Sequence, residues 1–136
     1  MTAPVTGLYA GFLMLLLLVL AGRVTLLRSK LRIGTGHGND PDLARAIRVH
    51  GNAVEWILPM LVLLLVAELD GAGRTFLHVC GVTFVVSRIA HAVGLSRTTK
   101  ESRGRFWGMA GTWFVIVALA AWDMAAAMRL GLRYLF

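Results

Sequence analysis

Three polar side chains at the start of the second apolar stretch could bind a small charged ligand. Arg48, Asn52 and Glu55 are spaced i, i+4 and i+7, so a helix places them on one face. An arginine can hold a carboxylate with two hydrogen bonds, an asparagine offers a donor and an acceptor, and a glutamate accepts from an ammonium group. The set therefore suits a small zwitterion with several carboxylates and an amine. The alternative is an internal network, with Arg48 paired to Glu55, that locks helices together.

This polar set directly precedes an uncharged apolar run at 56–67. The run reaches membrane-spanning length only if the polar residues belong to the same helix. Ionisable groups on a membrane helix are costly and usually face the protein interior, so they mark a candidate functional site. Pro59, one turn beyond Glu55, is expected to kink this helix and to leave one carbonyl group without its donor.

The elements that must position these residues follow from the composition. The chain has 136 residues, 57% of them hydrophobic, and a mean hydropathy of +0.72. A soluble domain of this size could not bury so much apolar surface, which predicts a membrane protein. Apolar stretches separated by turn residues predict four helices in a single domain covering 1–136, at about 4–28, 43–69, 74–96 and 104–130. The expected fold is all-α, a membrane-embedded four-helix bundle, with Asp40 or Asp42 capping the second helix.

The basic residues predict how the bundle is oriented. Most of them lie in the first and third connectors, 29–42 and 96–103, and in the flanking helix ends: Arg23, Arg28, Lys30, Arg32, Arg45, Arg48, Arg97, Lys100, Arg103 and Arg105. By the positive-inside rule these connectors face the cytoplasm and both termini lie on the opposite side. The same distribution accounts for the formal net charge of +7, so we expect no nucleic-acid partner. Because basic residues follow the first apolar run and none precedes it, a retained anchor is favoured over a cleaved signal peptide.

Helices 3 and 4 add further polar groups at the same end of the bundle. Arg88 and His91 are spaced i and i+3; the histidine could orient a ligand or partner Glu55, and the arginine could bind an anion or extend to the membrane interface. Helix 4 begins with Arg103 and Arg105, whose alternative role is to set orientation. Three glycines are expected to allow close helix packing: Gly104, Gly108 and Gly111.

Metal and disulfide chemistry are not expected. The four histidines do not have the spacing of a metal site, so no metal is predicted. Cys80 is the only cysteine, which excludes an intramolecular disulfide.

The residues of helix 2 resemble the MAPEG family, the membrane-associated proteins of eicosanoid and glutathione metabolism. The family pattern Arg-x-His-x-Asn-x-x-Glu followed by a proline is present here as Arg48, His50, Asn52, Glu55 and Pro59. The resemblance extends to the Arg-Ile-Ala-His sequence at 88–91 and covers the whole four-helix length. The stretch at 33–40 is similar to the bacterial branch, which implies an inner-membrane protein with both termini in the periplasm.

The resemblance implies a homotrimer with three glutathione sites at subunit interfaces, open to the cytoplasm. In each site Arg48, Asn52 and Glu55 match the groups that hold the carboxylates and amine of glutathione. His91 matches a ring-bearing position of the same pocket, and Arg28 matches a basic residue at the end of helix 1.

The resemblance also implies a catalytic residue. An arginine at the start of helix 4 lies near the sulfur in active members, and Arg105 or Arg103 fills that place here. A fixed guanidinium lowers the pKa of the glutathione thiol by favouring the thiolate, which is the nucleophile. The implied activity is a transferase or peroxidase that acts on hydrophobic electrophiles or lipid hydroperoxides from the bilayer. The alternatives are a non-catalytic protein of this fold that binds lipid or a hydrophobic ligand, and a scaffold whose polar network only stabilises the trimer.

Two positions depart from the family pattern. Leu95 occupies the place of a tyrosine one turn beyond the helix 3 histidine, which weakens the case for thiol activation. Gly51 occupies the place of a second arginine, which reduces the groups available for a carboxylate. Ser96 is the hydroxyl expected to substitute in part for the tyrosine.

Overall fold

The computed structural model describes residues 2–98 and 101–135, which form four helices. These are α1 (Pro4–Leu31), α2 (Pro41–Leu69), α3 (Arg74–Arg97) and α4 (Arg103–Leu135). Each helix is long and apolar enough to cross a membrane, so the predicted all-α membrane fold is confirmed. Lys100, one of the basic residues used to predict orientation, lies outside the described residues.

Local side-chain chemistry determines where α2 begins. Asp40 is the N-cap, and its Oδ1 accepts a hydrogen bond of 2.7 Å from the backbone N–H of Leu43. Pro41 follows as the first helical residue, where its missing N–H costs nothing. Asp42 instead contacts Arg45, with 3.2 Å between Oδ1 and Nη2. Of the two expected caps, Asp40 is therefore the one used.

The N-terminus of α1 is capped from another helix. It has no side-chain cap of its own. Glu68, near the end of α2, accepts the backbone N–H groups of Val5 and Thr6 at 2.9 and 2.7 Å. A carboxylate at this position satisfies two orphan donors and interacts favourably with the helix dipole. The contact fastens the start of α1 to the end of α2.

The helices pack so that α2 and α3 lie between α1 and α4. Every pair of helices is in contact except α1 and α4, which do not meet within the described part of the chain. The core contains fully buried apolar side chains from all four helices, among them Leu13, Ile57, Phe84 and Leu119. Large apolar side chains also cover the exterior, as expected for a surface that faces lipid.

Glycines allow α3 and α4 to approach closely. A Cβ on Gly104 would lie 2.9 Å from the carbonyl oxygen of Ala90, and one on Gly108 would lie 2.6 Å from that of Ser87. A Cβ on Gly111 would collide with the Ser87 side chain. The packing role predicted for these three glycines is confirmed, and it brings the start of α4 against the end of α3.

Candidate functional site

A buried arginine lies at the centre of the polar residues. Arg88 is only 1% exposed. Its Nη2 donates to Asn52 Oδ1 at 2.7 Å and to His91 Nδ1 at 3.1 Å, and its Nη1 donates to Thr112 Oγ1 at 3.3 Å. These bonds join α2, α3 and α4, so Arg88 does not extend to the membrane interface. Because arginine only donates, His91 Nδ1 is the acceptor, and the ring proton belongs on Nε2.

The helix 2 residues connect this buried centre to the surface of the chain. Asn52 Nδ2 donates to Glu55 Oε2 at 3.4 Å. Glu55 Oε1 lies 3.9 Å from Arg48 Nη1, and these two side chains are 57% and 68% exposed. An exposed ion pair at that distance contributes little stability. Asn52 therefore belongs to an internal network, whereas Arg48 and Glu55 present their charges at the surface of the chain.

A pocket of about 240 Å³ lies where the end of α3 meets the start of α4. It is lined by His91, Glu101, Ser102, Arg105, Phe106 and Met109. The structure thus brings His91 and Arg105 to one pocket. Arg103 is exposed and is not among the lining residues. Ser102 lies at the start of α4, where its Oγ accepts the backbone N–H of Arg105 at 3.3 Å.

The surroundings of His91 are strongly positive. Arg88 Nη2 lies 3.1 Å from His91 Nδ1, and Arg105 lines the same pocket. Glu55 is the carboxylate joined to this network, through Asn52. Two arginines at one imidazole make this part of the bundle suited to an anionic group that would be bound and partly desolvated there.

Pro59 affects the same site through the backbone. It lies inside α2, which continues through it from Pro41 to Leu69. Proline has no N–H, so the carbonyl group of Glu55, four residues earlier, lacks its helical donor. The carbonyl group that the sequence predicts to lack its donor therefore belongs to Glu55, a residue of the site. Pro59 does not interrupt α2.

Two sequence-predicted residues lie elsewhere. Arg28, at the end of α1, donates from Nη1 to the carbonyl of Gly34 at 3.1 Å and is not among the residues that line the pocket. Ser96 lines a groove between α1 and α3, so the expectation that its hydroxyl replaces the tyrosine in the pocket is wrong. Helix geometry explains this, because Ser96 is five residues beyond His91 and faces a different direction. Leu95 is buried in the core.

Sequence reasoning missed two hydroxyl groups. Ser102 supplies the hydroxyl that lines the pocket. The sequence feature that could have identified it is its position just before a helix, where serine is a usual N-cap. Thr112 is fully buried, accepts from Arg88 and donates to the carbonyl of Gly108 at 2.7 Å. The sequence feature that could have identified Thr112 is a hydroxyl within an apolar helix, one turn beyond a glycine that allows close packing.

Comparisons with known proteins agree with the geometry. A model of the MAPEG family matches residues 6–124, a range that includes every residue of the site. Inner membrane protein YecN of Escherichia coli (strain K12) is 33% identical over 132 residues, covering 92% of this chain and 99% of that protein. Inner membrane protein YecN of Escherichia coli O6:H1 matches with the same identity and coverage.

Proposed function

Because this chain belongs to the MAPEG family, we propose that it is a membrane-bound glutathione transferase or peroxidase acting on hydrophobic electrophiles or lipid hydroperoxides. The four spanning helices and the inner-membrane relative support an integral inner-membrane protein. The observation that carries the proposed activity is the pocket shared by His91 and Arg105, beside the buried Arg88 network.

The residues present fit glutathione by their chemistry. The weak pair between Arg48 and Glu55 can be exchanged for two stronger ones, with the arginine on a glutathione carboxylate and the glutamate on its ammonium group. This exchange pairs the ammonium group and one of the two carboxylates of glutathione. Asn52 is held by Arg88 and supplies a fixed amide beside them.

Arg105 is the residue that we assign to the sulfur. A guanidinium beside the thiol favours the thiolate, and the thiol proton passes to solvent. The sulfur then forms a bond to the electrophilic carbon, and the leaving group departs with its electron pair. With a hydroperoxide, two glutathione molecules supply the two electrons that cleave the O–O bond, giving an alcohol, water and glutathione disulfide.

We also propose that the protein is a homotrimer whose sites lie between subunits. Within one chain α1 and α4 do not meet across the described residues, so Arg28 of that chain is not positioned beside Arg105. A neighbouring subunit's α1 placed against α4 would bring the two arginines together and close the pocket. The concentration of basic residues supports a site that opens to the cytoplasm, with both termini in the periplasm.

The second candidate is a non-catalytic protein that binds lipid or another hydrophobic ligand. The observation that favours it is the core position of Leu95, which leaves the pocket without the aromatic hydroxyl of several family members. Ser102 is the hydroxyl that remains.

Calorimetric titration of glutathione into the purified protein in detergent, with thiolate absorbance recorded in parallel, separates these functions. We expect binding with thiolate formation, retained binding without thiolate in Arg105→Gln, and weakened binding in Glu55→Gln. Arg103→Gln removes the same charge outside the pocket and should behave as the unmodified protein. Binding without thiolate in the unmodified protein would favour the second candidate, and the absence of binding would refute the glutathione assignment.

A further inference from the structure

A second pocket, distinct from the one at His91, lies in the groove between α1 and α3. It has a volume of about 380 Å³. Leu16 and Val19 of α1 and Ile89 and Val93 of α3 are among its apolar walls, and Arg23 and Arg97 also line it. The groove lies on the side of α3 that faces α1, whereas the pocket at His91 involves α4.

The groove is apolar at one end and cationic at the other. Both α1 and α3 run towards the end of the bundle that carries the two long connectors. Leu16 precedes Arg23 by seven residues and Ile89 precedes Arg97 by eight, so each arginine lies about 10–12 Å nearer that end than the apolar wall. The two helices therefore present the same order of side chains, with the apolar part deeper in the membrane and the charges near its surface.

The two arginines carry charge that the chain itself does not neutralise. Both side chains are exposed, and neither forms an ion pair among residues 2–98 and 101–135. Asp42 lines an adjoining cavity beside Arg23, but its carboxylate contacts Arg45, and Lys30 lines that cavity as well. The rim of the groove therefore keeps an excess of positive charge.

We propose that this groove binds an anionic phospholipid, with its phosphate between Arg23 and Arg97 and an acyl chain along Leu16 and Ile89. Basic pockets between membrane helices on the cytoplasmic side are typical sites for anionic head groups. The head group of a zwitterionic lipid carries a cation that the two guanidinium groups would repel. An anionic lipid carries a net negative charge that they would attract. Charge complementarity therefore selects the anionic class, and the site is independent of the glutathione function proposed above.

Native mass spectrometry of the full chain from detergent tests the proposal. Phosphatidylglycerol and phosphatidylcholine with identical acyl chains are added separately, and the lipid-bound fraction is measured. We expect a preference for phosphatidylglycerol that falls about fivefold in Arg23→Gln or Arg97→Gln and about thirtyfold in the double variant. Arg32→Gln removes an exposed arginine at the same end of α1, outside the groove, and should keep the preference. Equal retention of both lipids, or an equal loss in Arg32→Gln, would overturn the site.

Two further measurements test the groove itself. Val93→Trp fills the groove with both arginines in place, and it should reduce phosphatidylglycerol retention; unchanged retention would show that the lipid binds elsewhere. A photo-crosslinking residue at position 19, in membranes that contain phosphatidylglycerol, should label lipid. Labelling of a second copy of the chain instead would show that another subunit covers the groove and would refute the lipid assignment.

Discussion

The role of Arg88 as a link between three helices can be measured with a double-mutant cycle. Its shortest hydrogen bond, 2.7 Å to Asn52, is buried and charge-assisted, which places it among the stronger ones. Hydrogen bonds between membrane helices contribute about 0.6 kcal/mol on average and about 1.7 kcal/mol at most. Arg88 makes two such bonds, to Asn52 and to Thr112, which give an expected loss of about 1–3 kcal/mol for Arg88→Met. For the pair of Arg88→Met and Asn52→Leu we expect a coupling energy of about 1.5 kcal/mol, near the upper limit for one bond.

The assay is equilibrium unfolding in mixed micelles, with sodium dodecyl sulfate as denaturant and helicity followed by circular dichroism. Asn52→Leu alone should be destabilising because it leaves a buried guanidinium N–H without its acceptor, whereas the double variant should lose less than the sum of the singles. Arg32→Met removes an exposed arginine and should change the free energy of unfolding by no more than about 0.5 kcal/mol. Additive losses, with a coupling below about 0.5 kcal/mol, would refute the network.

The same unfolding assay tests three features of the bundle. Asp40→Ala should cost about 1 kcal/mol through loss of the α2 cap, and Asp42→Ala less, because it removes only an exposed ion pair; an equal cost would contradict the cap assignment. Glu68→Leu should cost about 1–3 kcal/mol because two backbone N–H groups of α1 lose their acceptor, and an unchanged midpoint would disprove this cross-helix cap. Gly108→Ala should cost about 1–3 kcal/mol by forcing α3 and α4 apart, whereas Gly7→Ala, which has open space, should be neutral or stabilising.

The sequence by itself predicted the number of helices and the packing role of the glycines. Apolar stretches and the residues that end them are local signals, and the predicted helix ends lie within five residues of the observed ones. The sequence also predicted that Arg48, Asn52 and Glu55 share one helix face, because helical periodicity alone places side chains at i, i+4 and i+7 together.

The partners of each polar side chain were decided only by the tertiary structure. The sequence of α3 alone is compatible with two orientations of the Arg88 side chain, one towards the membrane interface and one towards the protein interior. Its burial depends on Asn52 and Thr112, which lie 36 and 24 residues away and meet it only once three helices pack. The same holds for Arg105 and Arg103: both begin α4, but only the rotation of that helix against α3 places one in the pocket and the other outside it. Helical periodicity is a property of one segment, whereas the face that a helix turns towards its neighbours depends on how all four pack.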